Sequence, residues 1–169
     1  MYYTGVGSRK TPESVLSEMT RIAIALRIKG LKMRSGKAPG ADTAFELGAD
    51  TEKQIFVPWD GFQGGRLEYQ VWDECYEIAS KFHPAWEYLS RGARALMARN
   101  VLQVLGPNLN EPSEFTICWT QDGAYTQAMR GKKTGGTGLA ISISCAHGVP
   151  VFNLKNKIHH DFVMNTLIK

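Results

Sequence analysis

The sequence predicts an α/β protein of the Rossmann-like class, with a mainly parallel sheet and helices on both of its faces. Short apolar runs typical of buried strands alternate with segments whose apolar residues recur at helical spacing. Three of the predicted strands also run into glycine-containing turns that precede a helix, as they do in folds that bind phosphate. Because the chain has 169 residues, we expect a single domain over residues 1–169.

The first third of the chain reads strand, helix, strand, helix, strand. An apolar run at 1–6 is followed by a helix over 11–30, which begins with Thr-Pro-Glu and ends in glycine. A second strand is predicted at 31–34, a short helix at 41–48, and a third strand at 54–57, where a proline stops it. This alternation favours parallel strands joined by helical crossovers.

An aromatic-rich segment at about 59–90 interrupts that rhythm, and we interpret it as a helical insertion. Its aromatic residues are typical of a satellite core or a subunit interface. The other predicted elements, in chain order, are helices at about 69–81 and 91–105, a strand at 115–119, a helix at 138–147, a strand at 150–153 and a helix at 158–167.

Composition and charge exclude several classes of protein. Hydrophobic residues make up 43% of the chain, which is enough for a packed core, and the formal net charge of +4 suits an anionic ligand or a nucleic acid. We see no signal-peptide pattern and no apolar run of membrane-spanning length, so we expect a cytoplasmic protein without a membrane partner. Cys75, Cys118 and Cys145 form no CxxC, and the adjacent His159 and His160 diverge on a helix; we expect no metal site and no required cofactor.

The first glycine turn follows the first strand and consists of Gly7, Ser8 and Arg9. The serine hydroxyl can donate to a phosphate oxygen, and the guanidinium can pair with it in bidentate fashion. A tight turn with a solvated arginine would explain the same three residues equally well.

The second glycine turn joins the second strand to the short helix. It includes Ser35, Gly36, Gly40, Ala41 and Asp42. The aspartate lies in the first helical turn, where a carboxylate caps backbone N–H groups or accepts from a ribose hydroxyl. Taken alone, the residue is better explained as a cap.

The third glycine turn is the most specific local signal in the chain. Thr134, Gly135, Gly136, Thr137 and Gly138 place three glycines and two hydroxyls directly before a predicted helix. Backbone N–H groups at a helix N-terminus bind anions, and glycine lets the anion approach the backbone closely. We therefore predict a phosphate contact at this turn.

Further candidate ligand contacts lie outside the three turns. Arg99 and Asn100 border the apolar face of the 91–105 helix and can point into a pocket, as can Arg94 on the same helix. Trp59 directly follows the third strand and could stack on a base, and Thr120 follows the fourth strand.

These turns together resemble the superfamily that unites DNA-processing protein A (DprA/Smf) with the LOG phosphoribohydrolases, the SLOG superfamily. Gly7-Ser8-Arg9 resembles the GSR after the first strand of the DprA family, and residues 35–42 resemble its SGxAxGxD turn. Residues 99–102 resemble its RN-containing helix, and residues 134–138 its final glycine turn. The resemblance implies a Rossmann-like fold and a nucleotide ligand, and relatives of this kind commonly form homodimers or higher homo-oligomers.

One departure from the LOG enzymes bears on catalysis. Their PGGxGTxxE turn carries a catalytic Glu, whose position corresponds to Ser142 here, and Asn100 replaces the Lys of their Arg-Lys pair. The resemblance therefore implies that phosphate binding is retained and that this acid is missing. An enzyme would need a substitute acid, for which Asp42, Glu46 and Asp122 are the candidates.

Three functions follow as competing hypotheses. The first, which we favour, is binding of a phosphate-bearing nucleotide or nucleotide-derived signal, such as an ADP-ribose-like molecule, without turnover. The second is a LOG-like hydrolase or transferase acting at the N-glycosidic bond of a nucleotide. The third is a DprA-like recombination mediator that binds single-stranded DNA, whose phosphates would contact basic residues such as Lys37, Arg94, Arg99, Arg130, Lys132 and Lys133.

Overall fold

The computed structural model describes all 169 residues, Met1 to Lys169, and contains one five-stranded sheet. Every neighbouring pair of strands is parallel, and the strand order is β3-β2-β1-β4-β5. The strands are β1 (Tyr2–Gly5), β2 (Lys32–Ser35), β3 (Lys53–Ile55), β4 (Thr116–Cys118) and β5 (Val151–Asn153). The predicted Rossmann-like α/β class is confirmed.

Six α-helices cover the two faces of this sheet. They are α1 (Glu13–Ile28), α2 (Ala41–Ala49), α3 (Asp73–Phe82), α4 (Arg91–Leu105), α5 (Thr137–Ala146) and α6 (Lys157–Phe162), the last continued by a π-helical turn at Val163–Leu167. Buried side chains of α1, α2 and the C-terminal segment form one apolar cluster. Those of α3, α4 and α5 form the other, on the opposite face. The helices are therefore placed so that their apolar faces are buried in these two clusters.

The order of the strands creates a crevice at one edge of the sheet. From β1 the chain moves outward to β2 and β3, and it then crosses to the other side of β1 to form β4 and β5. The connections that leave β1 and β4 consequently lie on opposite faces. Ligands of open α/β sheets bind at this kind of reversal, beyond the carboxyl ends of the strands.

Most predicted elements agree with the observed ones to within a residue or two, and the aromatic segment differs most. The helix expected over 69–81 begins only at Asp73. Tyr69 precedes it in non-helical backbone and packs its ring on Phe56, with the two centroids 4.9 Å apart. Tertiary packing of this ring, which local periodicity does not encode, accounts for the later start.

Part of the aromatic segment packs on the same side of the sheet as α4 and α5. Cys75 and Ala79 of α3 are fully buried in that core, and Tyr76, Phe82 and Trp86 pack against its margin. No helix in the protein combines the length and the apolar character needed to cross a membrane.

Candidate functional site

A cavity of about 300 Å³ opens at the crevice beyond β1. All three predicted glycine turns line it: the first with residues 6–10, the second with Ala38 and Asp42, and the third with residues 134–137. Helix α4 closes the remaining wall. The structure thus brings together turns that lie up to 130 positions apart in the sequence, as the carboxyl ends of parallel strands require.

The first two turns pack directly against each other. The backbone of Gly40 has a φ of +91°, and a Cβ at this position would lie 3.1 Å from the Ser8 carbonyl oxygen and the Arg9 Cα. A side chain on Gly7 would lie 2.7 Å from the Ala41 Cβ. Both glycines are therefore explained by close backbone approach between the turns.

Asp42 lies beneath the cavity and stabilises the second turn. Its Oδ2 accepts hydrogen bonds from the N–H groups of Gly36, at 3.2 Å, and Ala38, at 3.3 Å. Burial raises the pKa of this carboxyl to about 6, although the Arg99 charge and the backbone N–H groups act in the opposite direction. The carboxylate thus links the second turn to itself and lies next to a buried arginine.

Arg99 joins the second turn to the third through α4. Its Nη1 donates to the carbonyl oxygens of Gly36 and Phe56, and its Nε donates to the Asn100 side chain. Asn100 in turn donates to the Gly136 carbonyl oxygen at 3.2 Å. Burial lowers the pKa of Arg99 to about 10; Asp42 opposes that shift. The guanidinium stays charged at neutral pH and holds the turns in place.

The third turn leaves its N–H groups free. Gly135 adopts a φ of +64°, after which Gly136 and Thr137 begin α5. The N–H groups of these three residues donate to no protein acceptor, whereas those of the following residues bond within the helix. Free donors at the positive end of a ten-residue helix form a strong anion-binding arrangement.

A hydrogen-bond network stabilises the loop before this turn. The Asp122 carboxylate accepts from the hydroxyls of Thr134 and Thr120. Partial burial would raise the Asp122 pKa, but these two hydrogen bonds and those from nearby backbone N–H groups together lower the pKa below its usual value. Asp122 therefore orders the loop and is not among the residues that line the cavity.

The charges around the cavity favour an anion. Arg9 and Lys10 are exposed at its mouth, and neither lies within ion-pair distance of a carboxylate. Arg99 adds a third positive charge at the base, and Asp42 is the one acidic residue in the lining. With positive charge in excess and backbone donors free, the cavity suits a phosphate group.

Several predicted contacts lie away from this cavity. Ser35 donates its hydroxyl to the Gly5 carbonyl, and Arg94 donates to backbone carbonyls at Trp86 and Glu87. The other predicted residues that are absent from the lining are Gly36, Gly40, Ala41, Trp59, Thr120 and Gly138. Of these, Trp59 is 43% exposed and packs edge-on against Phe62.

Only one of the three candidate acids faces the cavity. Glu46 forms ion pairs with Lys37 and Lys53, at 3.2 and 3.1 Å, and is absent from the lining. Asp42 lines it, which leaves Asp42 as the single acid placed to act on a bound ligand. No three His, Cys, Asp or Glu side chains are grouped closely enough to hold a metal ion.

Sequence reasoning missed seven residues that line the cavity. They are Val6, Lys10, Ala38, Leu96, Met97, Gln103 and Ala140. Leu96, Met97 and Gln103 share one face of α4 with Arg99 and Asn100, because residues three, four and seven positions apart align on a helix. Extending that face from Arg99 in both directions would have found these three.

The buried Asp42 predicts an unusual pH dependence of stability. Its carboxyl holds a proton up to about pH 6 in the folded protein but only to about 3.8 in the unfolded chain. The folded state therefore binds more protons between these values, and the free energy of unfolding falls as pH rises through them, by about 3 kcal/mol. Urea unfolding of the wild type and of Asp42→Asn from about pH 4 to 7 measures this loss. Parallel curves for the two proteins would contradict it.

The comparisons with known proteins bear on the fold. No protein-family model and no curated protein matches the chain. Among solved structures, it is similar to DNA processing protein A from Helicobacter pylori, described there for a unique single-stranded DNA binding mode. The match covers 99% of this chain and 80% of that chain, with a TM-score of 0.52 and 15% sequence identity. The chain therefore shares the fold of DNA processing protein A.

Proposed function

We propose that this protein binds the phosphate group of a nucleotide, or of a nucleotide-derived signal such as an ADP-ribose-like molecule, in the cavity at the three glycine turns. The observation that carries the proposal is the set of free N–H groups at Gly135–Thr137, which share the cavity with Arg9, Lys10 and Arg99. A volume of about 300 Å³ lies at the small end of ligand pockets and suits a single nucleotide unit.

We further propose that the bound nucleotide is not turned over. Ser142, which occupies the position of the LOG glutamate, is fully buried and accepts a hydrogen bond from Arg130 at 2.8 Å. Asp42 faces the cavity, but Oδ2 of its carboxylate already accepts two hydrogen bonds from backbone N–H groups of the second turn. These contacts support a structural role for Asp42 over that of a general acid.

Ligand identification and a turnover assay test this proposal together. Mass spectrometry of molecules released from the purified protein identifies the nucleotide. Incubation with nucleoside monophosphates, NAD and ADP-ribose, followed by chromatography, is expected to show no free base. Release of base by the wild type, lost in Asp42→Asn, would establish an N-glycosidic hydrolase instead, because Asp42 would then be acting as acid or nucleophile.

Arg9 offers a variant that separates binding from stability. We expect Arg9→Ala to weaken nucleotide binding about tenfold, since a charge-assisted contact at the mouth is lost. The melting temperature of Arg9→Ala should equal that of the wild type, because the Arg9 side chain is exposed and forms no ion pair. Arg21→Ala, at an exposed position on α1, is the matched control for loss of one positive charge. Equal affinities for both variants would argue against a phosphate at this mouth.

Single-stranded DNA is a second candidate ligand. It is favoured by the shared fold, since the similar protein from Helicobacter pylori is described as binding single-stranded DNA. Lys132 and Lys133 are exposed directly before the third turn and could contact further phosphates. Binding of a labelled strand should then weaken steeply with salt, because counterions are released on binding. No binding at low salt would remove this candidate.

A further inference from the structure

A second cavity, of about 360 Å³, lies where the end of α3 meets the loop before α5. Residues 81–84 form one side of it, and Gln127 with residues 130–131 form the other. Lys81, His83 and Arg130 contribute its ionisable side chains, and no carboxylate lines it. None of the three makes an ion pair in the protein. The cavity therefore gathers basic groups without a neutralising partner.

Hydrogen bonds fix the Arg130 side chain but leave two nitrogens of its guanidinium without a protein acceptor. Its Nη1 donates to the Phe82 carbonyl oxygen at 2.7 Å and to the Ser142 hydroxyl at 2.8 Å. Its Nε and Nη2 donate to no protein acceptor, and they are not sealed from solvent. A fixed arginine with unused donors at a cavity is an arrangement suited to an oxyanion.

His83 supplies another directed donor. Its Nδ1 accepts a hydrogen bond from the Ala85 N–H at 3.2 Å, so the neutral ring carries its proton on Nε2. Burial lowers the His83 pKa, and the charge of Arg130 lowers it further. An anion bound in the cavity would offset the effect of the Arg130 charge and so raise the His83 pKa.

The second cavity lies behind the third glycine turn. A Cβ on Gly138, in the first turn of α5, would lie 2.5 Å from the Arg130 Nε, so the guanidinium packs on the helix start. The same helix start presents Gly135–Thr137 to the first cavity. Arg130 thus lies beside the positive end of α5, which is unfavourable without a nearby anion. Lys132 and Lys133 are exposed on the loop between the two cavities.

We propose that this second cavity is a second phosphate-binding site, filled by another phosphate of the ligand whose first phosphate binds at the glycine turns. The inference rests on the proposed function for the first site. The ligand would place one phosphate in each cavity, with the 131–136 loop between them. This requires phosphates that are separated by a nucleoside, as they are in a single-stranded oligonucleotide. The two directly linked phosphates of a nucleoside diphosphate lie too close together to reach both cavities.

Lys81→Gln tests the second site, because the side chain of this exposed lysine makes no hydrogen bond or ion pair within the protein. We expect the variant to bind a nucleoside monophosphate with unchanged affinity and a labelled single-stranded oligonucleotide about fivefold more weakly. The slope of log K against log salt for that oligonucleotide should also become shallower by about 0.7. Lys29→Gln, at the exposed C-terminal end of α1 on the other sheet face, is the control and should change neither value.

Titration of inorganic phosphate into the wild type, followed by NMR of the histidine rings, gives an independent measurement. Phosphate should shift the His83 resonances and raise the His83 pKa, with a smaller response in Lys81→Gln. Three results together would show that the second site is wrong while the proposed function stands. They are binding of a nucleoside monophosphate, no response of His83 to phosphate, and equal affinities of Lys81→Gln and Lys29→Gln for every ligand. If His83 responds but no nucleoside monophosphate binds, the proposed function and the shared ligand are wrong, and the second cavity binds phosphate independently of the first.

Discussion

Gly136→Asp is expected to abolish most phosphate binding while leaving the fold intact. Gly136 has a φ of −63°, which any residue adopts, and a Cβ would meet only the end of the Met97 side chain, at 3.4 Å. The new carboxylate would occupy the N-cap of α5, where the ligand phosphate is proposed to bind. Repulsion and loss of the free N–H groups should cost about 2 kcal/mol of binding, or roughly 30-fold in affinity.

The variant also has a distinctive stability signature. Because an acidic N-cap interacts favourably with the helix dipole, the melting temperature of Gly136→Asp should match or exceed that of the wild type. Gly136→Asn has the same shape without the charge and should lose far less affinity. Calorimetric titration and thermal melts of the three proteins provide both measurements. Tight nucleotide binding by the aspartate variant would place the phosphate elsewhere.

Arg99→Ala is expected to have the largest effect on stability. Arg99 is 5% exposed, and its guanidinium donates to the carbonyl oxygens of Gly36 and Phe56, which would lose a charged donor on substitution. Asp42 would also lose the buried positive charge that favours its ionised form. Together these losses should lower the free energy of unfolding by about 3 kcal/mol at neutral pH.

Binding measurements separate the two roles of Arg99. Loss of its charge should weaken nucleotide binding more than the tenfold expected for Arg9→Ala, because the second and third turns also lose their link through α4. The double variant Arg99→Ala, Asp42→Asn removes the unpaired acid and should recover part of the stability without recovering affinity. Unchanged unfolding curves for Arg99→Ala would show that the buried hydrogen bonds contribute little.

Local sequence features determined most of the fold. Apolar runs before the glycine turns predicted the strands. Helical spacing of apolar residues predicted the helices, as for Met19, Ile22 and Leu26 in α1, because strands and helices differ in periodicity. Alternation of the elements predicted the parallel sheet. The aromatic segment was harder, since its residues pack on a distant helix pair. The expected homo-oligomer and the absence of a required cofactor stay predictions.

For the candidate site, the sequence by itself determined which turns could bind phosphate, because the need for glycine, a hydroxyl and a helix start is local. Only the tertiary structure decided which polar side chains reach the cavity. The sequence alone does not distinguish the carboxylates of Asp42, Glu46 and Asp122. In the structure they become a buried link within the second turn, a partner of two lysines and an anchor for a loop. Those roles depend on neighbours far away in the chain, whose positions are set by the strand order of the sheet.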